Sequence, residues 1–95
     1  MTGREVEGEF VVASPLGLHA RPAGRFVSLA GRFRSEVQVT RDAEGWVSGR
    51  SVLSLLSLAA AQGTKLRIRA VGEDAPAAVA ALGRLVESTE EEASA

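Results

Sequence analysis

No cysteine and no tyrosine occur in the 95 residues, and there is one histidine, one tryptophan and three prolines. The missing thiols exclude disulfides, thiolate metal sites and cysteine nucleophiles. A single histidine is too few for a multi-histidine metal centre, so neither a metal nor a cofactor is expected. No apolar run approaches the ~20 residues of a membrane span. The start, Met-Thr-Gly-Arg-Glu-Val-Glu-Gly-Glu, lacks the apolar segment of a secretory signal, so the expected location is cytoplasmic. Neither sign of charge is in excess: 11 basic residues against 12 acidic ones give a net charge of −1. That balance argues against a nucleic-acid or membrane partner.

What is present suits one globular domain over 1–95. Hydrophobic residues make up 45% and charged residues 24%, enough for one small core and too few residues for a second. Val6, Gly8, Phe10 and Val12 alternate with Glu5, Glu7 and Glu9, which predicts a strand over 6–13 with one buried face. Ser14-Pro15-Leu16-Gly17 breaks it. Ala23, Phe26, Val27 and Ala30 then share one face of a helix over 20–31, where Pro22 is early enough to be tolerated. Residues 35–40 alternate again, turn at 41–45, and return through Trp46-Val47-Ser48 as a hairpin.

Ser51 in front and Gly63 behind bracket a short apolar helix. Leu66, Ile68 and Ala70 alternate with Lys65, Arg67 and Arg69 in a fourth strand. Asp74 is placed to cap a last helix that begins Ala75-Pro76 and turns Val79, Leu82 and Val86 inward. The core spans about 5–88, after a short mobile start over 1–4; 89–95 reads as a polar, solvated tail. The order β-α-β-β-α-β-α, with every strand two-faced, gives an α+β fold: a four-stranded antiparallel sheet with three helices on one face. The Lys65, Arg67, Arg69 stripe reads as the solvated open face of that sheet, since no aromatics interleave it.

His19 lies where a loop meets the first helix. A helix start presents unpaired N–H groups and the positive end of the dipole. With Pro22 contributing no donor, those of Ala20 and Arg21, with Ala23 further in, are the expected free ones. Arg21 adds a guanidinium suited to phosphate oxygens. Imidazole, helix start and arginine together describe a place to form and hold a phosphohistidine. Position alone leaves open that His19 is only a helix cap or a solvated loop residue.

The string Gly17-Leu18-His19-Ala20-Arg21-Pro22-Ala23 resembles the active-site motif of the HPr family, the histidine-containing phosphocarriers of the bacterial phosphoenolpyruvate:sugar phosphotransferase system. Arg50-Ser51-Val52-Leu53, with the apolar helix and Gln62-Gly63 after it, resembles the family's second signature. Gly72-Glu73-Asp74-Ala75 resembles the turn into its last helix. The resemblance covers roughly 5–88 in order and spacing, with one extra residue in the 41–45 turn. It implies an open-faced β-sandwich of four antiparallel strands with three helices, and a cytoplasmic, monomeric phosphoryl carrier for sugar transport. Such a carrier is a transiently phosphorylated intermediate rather than an enzyme, and with no phosphate loop and no carboxylate cluster for a catalytic metal the chain is not expected to be a self-contained kinase.

By the resemblance, His19 takes a phosphoryl group on Nδ1 from phosphorylated enzyme I and passes it to enzyme IIA components, and Arg21 assists. Ser51 matches a serine that HPr kinase/phosphorylase modifies in some bacteria; as a helix cap it also has a purely structural reason to be there. The partner surface maps to Gly24, Arg25, Ser28, Val52, Leu53 and Leu56. Two other functions stay open at this point: a regulatory relative, for example of a nitrogen-related branch, acting by phosphorylation-dependent binding, and a binding domain that merely shares the fold.

Overall fold

A computed structural model describes residues 4–43 and 45–89. The expectations for 1–3, for Glu44 and for the tail over 90–95 lie outside the described residues. The elements come in the expected order: β1 (Arg4–Val11), α1 (Ala20–Ala30), β2 (Glu36–Thr40), β3 (Val47–Ser48), α2 (Val52–Leu56), β4 (Lys65–Gly72) and α3 (Ala75–Val86). The strands form one antiparallel sheet in the order β1-β4-β2-β3. The last strand in sequence is therefore central, with Ile68 opposite Gly8 on one side and Val39 on the other.

Period-two alternation makes the sheet one-sided. Leu66, Ile68, Ala70 and Val39 are fully buried, and Val37 nearly so. Against them lie Ala23, Phe26 and Ala30 of α1 and Ala78, Val79, Leu82 and Val86 of α3. Burial of a side chain such as Phe26 or Leu82 contributes about 1.5–3 kcal/mol. Helix α3 packs on β1 and β4, and α1 packs on both α3 and α2. Gly83 is where α3 comes closest to the sheet: a Cβ there would collide with the Phe10 ring.

The other face is charged, and its charges answer one another. Arg67 lies 3.3 Å from the Glu7 carboxylate. Arg69 donates to Gln38 Oε1 at 2.7 Å, and its guanidinium carbon stands 4.1 Å from the Trp46 ring centroid. Trp46, for which the sequence suggested no role, thus covers Arg69 as a cation–π partner.

Three local expectations need correction. Strand β1 starts at Arg4 and ends at Val11, two residues earlier than read at either end; Val12 still bonds the chain that leads into β4, donating to the Thr64 carbonyl at 2.9 Å. Helix α2 ends at Leu56, well short of Gly63. Ala59 adopts a left-handed φ of 51°, which no helix can continue through. Asp74 stands before α3 but makes no cap hydrogen bond. Its carboxylate instead accepts from Arg34 N–H at 2.9 Å, Ser35 N–H at 3.0 Å and Ser35 Oγ at 2.5 Å. Those three bonds, the Ser35 hydroxyl's first, hold its pKa below the ordinary 3.8. Arg50 grips the same loop from the opposite polarity, donating through Nη2 to the Phe33 and Ser35 carbonyls at 3.1 and 2.8 Å.

Candidate functional site

His19 occupies the N-cap of α1 in extended backbone, φ −86° and ψ −168°. A capping residue normally turns a side-chain oxygen onto a first-turn N–H. The imidazole makes no such bond, so capping does not account for a histidine here. The donors differ from expectation in one respect. Ala23 N–H closes the first helical bond onto the His19 carbonyl at 3.0 Å and is not available to an anion. Pro22 has no N–H, so the first-turn N–H groups without an intrahelical partner are those of Ala20 and Arg21. The imidazole is half-buried and its Nε2 is fully buried, whereas Arg21 is exposed.

The loop that delivers His19 is tightly specified. Gly17 takes φ 76°, and its N–H donates to the Ser14 carbonyl at 2.9 Å. Here glycine is needed twice over: for the left-handed conformation, and because a Cβ would strike the Ala60 carbonyl oxygen. Leu18 points into the core, 6% exposed, and its N–H donates to that same Ala60 oxygen at 2.8 Å.

Ser51 is the N-cap of α2, with φ −126° and ψ 118°; its Oγ accepts from Ser54 N–H at 3.2 Å. The cap expected from the sequence is therefore present. The rest of the expected surface falls on two helices that pack together, α1 and α2. Gly24 and Arg25 are half-buried and Ser28 is exposed on α1; on α2, Val52 and Leu56 are half-buried. Leu53 stands out at 80% exposed, a large apolar side chain that the core does not claim. Sequence reasoning missed a second such residue. Leu16, in the His19 loop, is 76% exposed. The available signal was an apolar residue inside a Pro-Gly turn, where nothing in the turn's backbone needs one. Among the described residues no group of three or more His, Asp or Glu side chains is placed to hold a metal.

The family described as "PTS HPr component phosphorylation site" matches residues 6–88 of this chain. The chain is 41% identical over 78 residues to the phosphocarrier protein HPr of Pseudomonas aeruginosa, covering 82% of this chain and 87% of that one. It is 40% identical over 86 residues to the phosphocarrier protein HPr of Borreliella burgdorferi, covering 90% and 99%. A crystal structure of the HPr of Bacillus anthracis superposes with a TM-score of 0.82 at 34% identity, covering 86% of this chain and 96% of that one. Fold, family profile and relatives agree with the two sequence signatures: the chain belongs to the HPr family of phosphotransferase-system phosphoryl carriers, which are carriers rather than enzymes.

Proposed function

We propose that His19 is the phosphoryl acceptor, that Nδ1 is the reacting nitrogen, and that the donor and acceptor are phosphorylated enzyme I and enzyme IIA components. The observation that carries this reading is an N-cap histidine whose ring makes no cap bond, with Nε2 buried, two residues before an exposed arginine in the first turn of the helix. Reaction at Nδ1 uses the ring form with its proton on Nε2 and its lone pair on Nδ1. That pair forms the new N–P bond as the donor's bond to phosphorus breaks, its electrons leaving with the donor. The reverse displacement delivers the group to the acceptor. Arg21 and the Ala20 and Arg21 N–H groups stabilise the phosphoryl oxygens.

One surface serves both partners, since both must reach the same nitrogen. It comprises the His19 mouth, Gly24, Arg25 and Ser28 on α1, and Val52, Leu53 and Leu56 on α2. Leu16 joins it on the strength of its exposure. Ser51 is a regulatory site for HPr kinase/phosphorylase as well as a cap. A phosphate there suits the helix start but must be desolvated when a partner covers Val52 and Leu53. The protein acts as a cytoplasmic monomer; no helix among the described residues is long and apolar enough to cross a membrane. The test is incubation with phosphoenolpyruvate and enzyme I. Acid-labile phosphate on the wild type and none on His19→Ala is the expected result; equal labelling of the two would remove His19 from the mechanism.

A further inference from the structure

The loop carrying His19 is braced from behind by the segment that follows α2. Four backbone or side-chain bonds join the two. Val12 N–H donates to the Thr64 carbonyl at 2.9 Å, and Gly63 N–H returns to the Val12 carbonyl at 2.8 Å. Leu18 N–H donates to the Ala60 carbonyl at 2.8 Å. Gln62 Nε2 donates to the Ala13 carbonyl at 3.0 Å. The first two continue the pairing of β1 with the approach to β4, and Leu18 is held by main chain alone. Gln62 supplies the one side chain among the four.

The brace is itself in a special conformation. Ala59 sits at φ 51°, a region that L-residues other than glycine occupy at a cost of roughly 1–2 kcal/mol. Its carbonyl accepts from Arg41 Nη1 at 3.4 Å. That left-handed residue ends the run from α2 and turns the next carbonyl, Ala60, toward Leu18 and Gly17. Nothing in the short helix itself demands this turn. Its consequence is that residues 13 and 18, the two ends of the loop, are tied to residues 62 and 60 of one short segment.

We infer that Gln62 is a positioning residue for phosphoryl transfer, holding the Ala13 end of the loop so that the His19 ring keeps its orientation while a partner docks. This rests on the reading that His19 carries the phosphate. Gln62 is exposed, so its contribution to folding is small, and its hydrogen bond to Ala13 is its one described contact with the loop. A donor is what matters at this position. Glutamate matches glutamine in length but presents only acceptors to an acceptor carbonyl. Lysine is a longer donor that can reach the same oxygen.

The experiment measures phosphorylation of wild type, Gln62→Glu, Gln62→Met and Gln62→Lys by phosphoenolpyruvate and enzyme I over a range of carrier concentrations, with melting temperatures alongside. The expected result is a roughly three- to tenfold fall in kcat for the Glu and Met variants. KM should be unchanged, the Lys variant should stay close to wild type, and all four should melt within a few degrees of one another. A rise in KM at constant kcat would make Gln62 a partner contact and overturn the inference. So would equal kcat in all four, or a loss of kcat that follows melting temperature. If the wild type itself takes no phosphate on His19, the underlying reading fails first, and that failure is visible without any Gln62 variant.

Discussion

Two helix starts stand side by side in this molecule and are treated differently. At α2 the N-cap is Ser51, whose oxygen accepts from Ser54 N–H. At α1 the N-cap is His19, whose ring makes no cap bond. Both lead into apolar helices, so helix formation alone would favour a small polar cap at each. The departure at α1 forgoes about 1 kcal/mol of capping. The capped start serves the fold; on the proposed reading, the uncapped one serves the chemistry.

The contrast can be broken at several points. The largest effect is expected at α1. Arg21→Ala should slow phosphoryl transfer roughly ten- to a hundredfold, the loss of a charge-assisted hydrogen bond to phosphate. Its melting temperature should barely change, because Arg21 is exposed. Rapid-quench transfer rates and a thermal melt, measured on the same preparation, separate the two. Comparable losses in both would place Arg21 in the fold.

Next is Leu53→Glu. An 80% exposed leucine contributes little to the core, so the variant should fold normally. A carboxylate on the docking face should raise KM for enzyme I by about tenfold and weaken enzyme IIA as well. An effect on one partner only would divide the shared surface in two.

At α2 the order of effects should invert. Ser51→Ala should cost about 1 kcal/mol of stability, since it removes a working cap, and leave transfer alone. Ser51→Asp should keep the cap and slow phosphorylation through weaker docking. Chemical denaturation read beside the phosphorylation rate checks both halves. Equal rates for the two variants, both folded, would return Ser51 to a purely structural part.

The smallest effect concerns α3, whose start is neither capped nor open. The Asp74 carboxylate is held below the ordinary 3.8 by the Ser35 hydroxyl and then by the Arg34 and Ser35 amides. A depressed native value means that its stabilisation is fully present above the ordinary value. It is lost as pH falls below that value through the native one. Asp74→Asn should therefore flatten the acid limb of stability below about pH 4 and have little effect on the shape of the curve near neutrality. Denaturation midpoints between pH 2 and 7 for the two proteins would show it.

How far these differences could be read in advance depended on what carried them. Strand faces were legible because alternation is local: Leu66, Ile68 and Ala70 against Lys65, Arg67 and Arg69 admit one orientation. The Ser51 cap was legible for the same reason. Asp74 was not, because its choice between capping α3 and gripping residues 34 and 35 is decided by a loop 40 positions away. That α2 does not run on to Gly63 goes with the left-handed φ of Ala59, whose neighbour Ala60 bonds the His19 loop, and a run of good helix formers gave no sign of it. Trp46 shows the same limit, since Arg69 becomes its neighbour only through the pairing of β2 with both β3 and β4. The site was half legible. His19 and Arg21 are close in sequence and carry their resemblance with them, whereas the exposure of Leu16 and the bracing by Gln62 exist only once the loop is folded.

The central claim is that an uncapped helix start, with one ring nitrogen buried, directs phosphate to the other nitrogen of His19. Nitrogen-15 and phosphorus-31 NMR of protein labelled in the histidine ring, recorded during turnover with phosphoenolpyruvate and enzyme I, identifies the phosphorylated nitrogen directly. The expected spectrum shows one phosphohistidine, substituted at Nδ1. Phosphate on Nε2, or on no histidine at all, would contradict it.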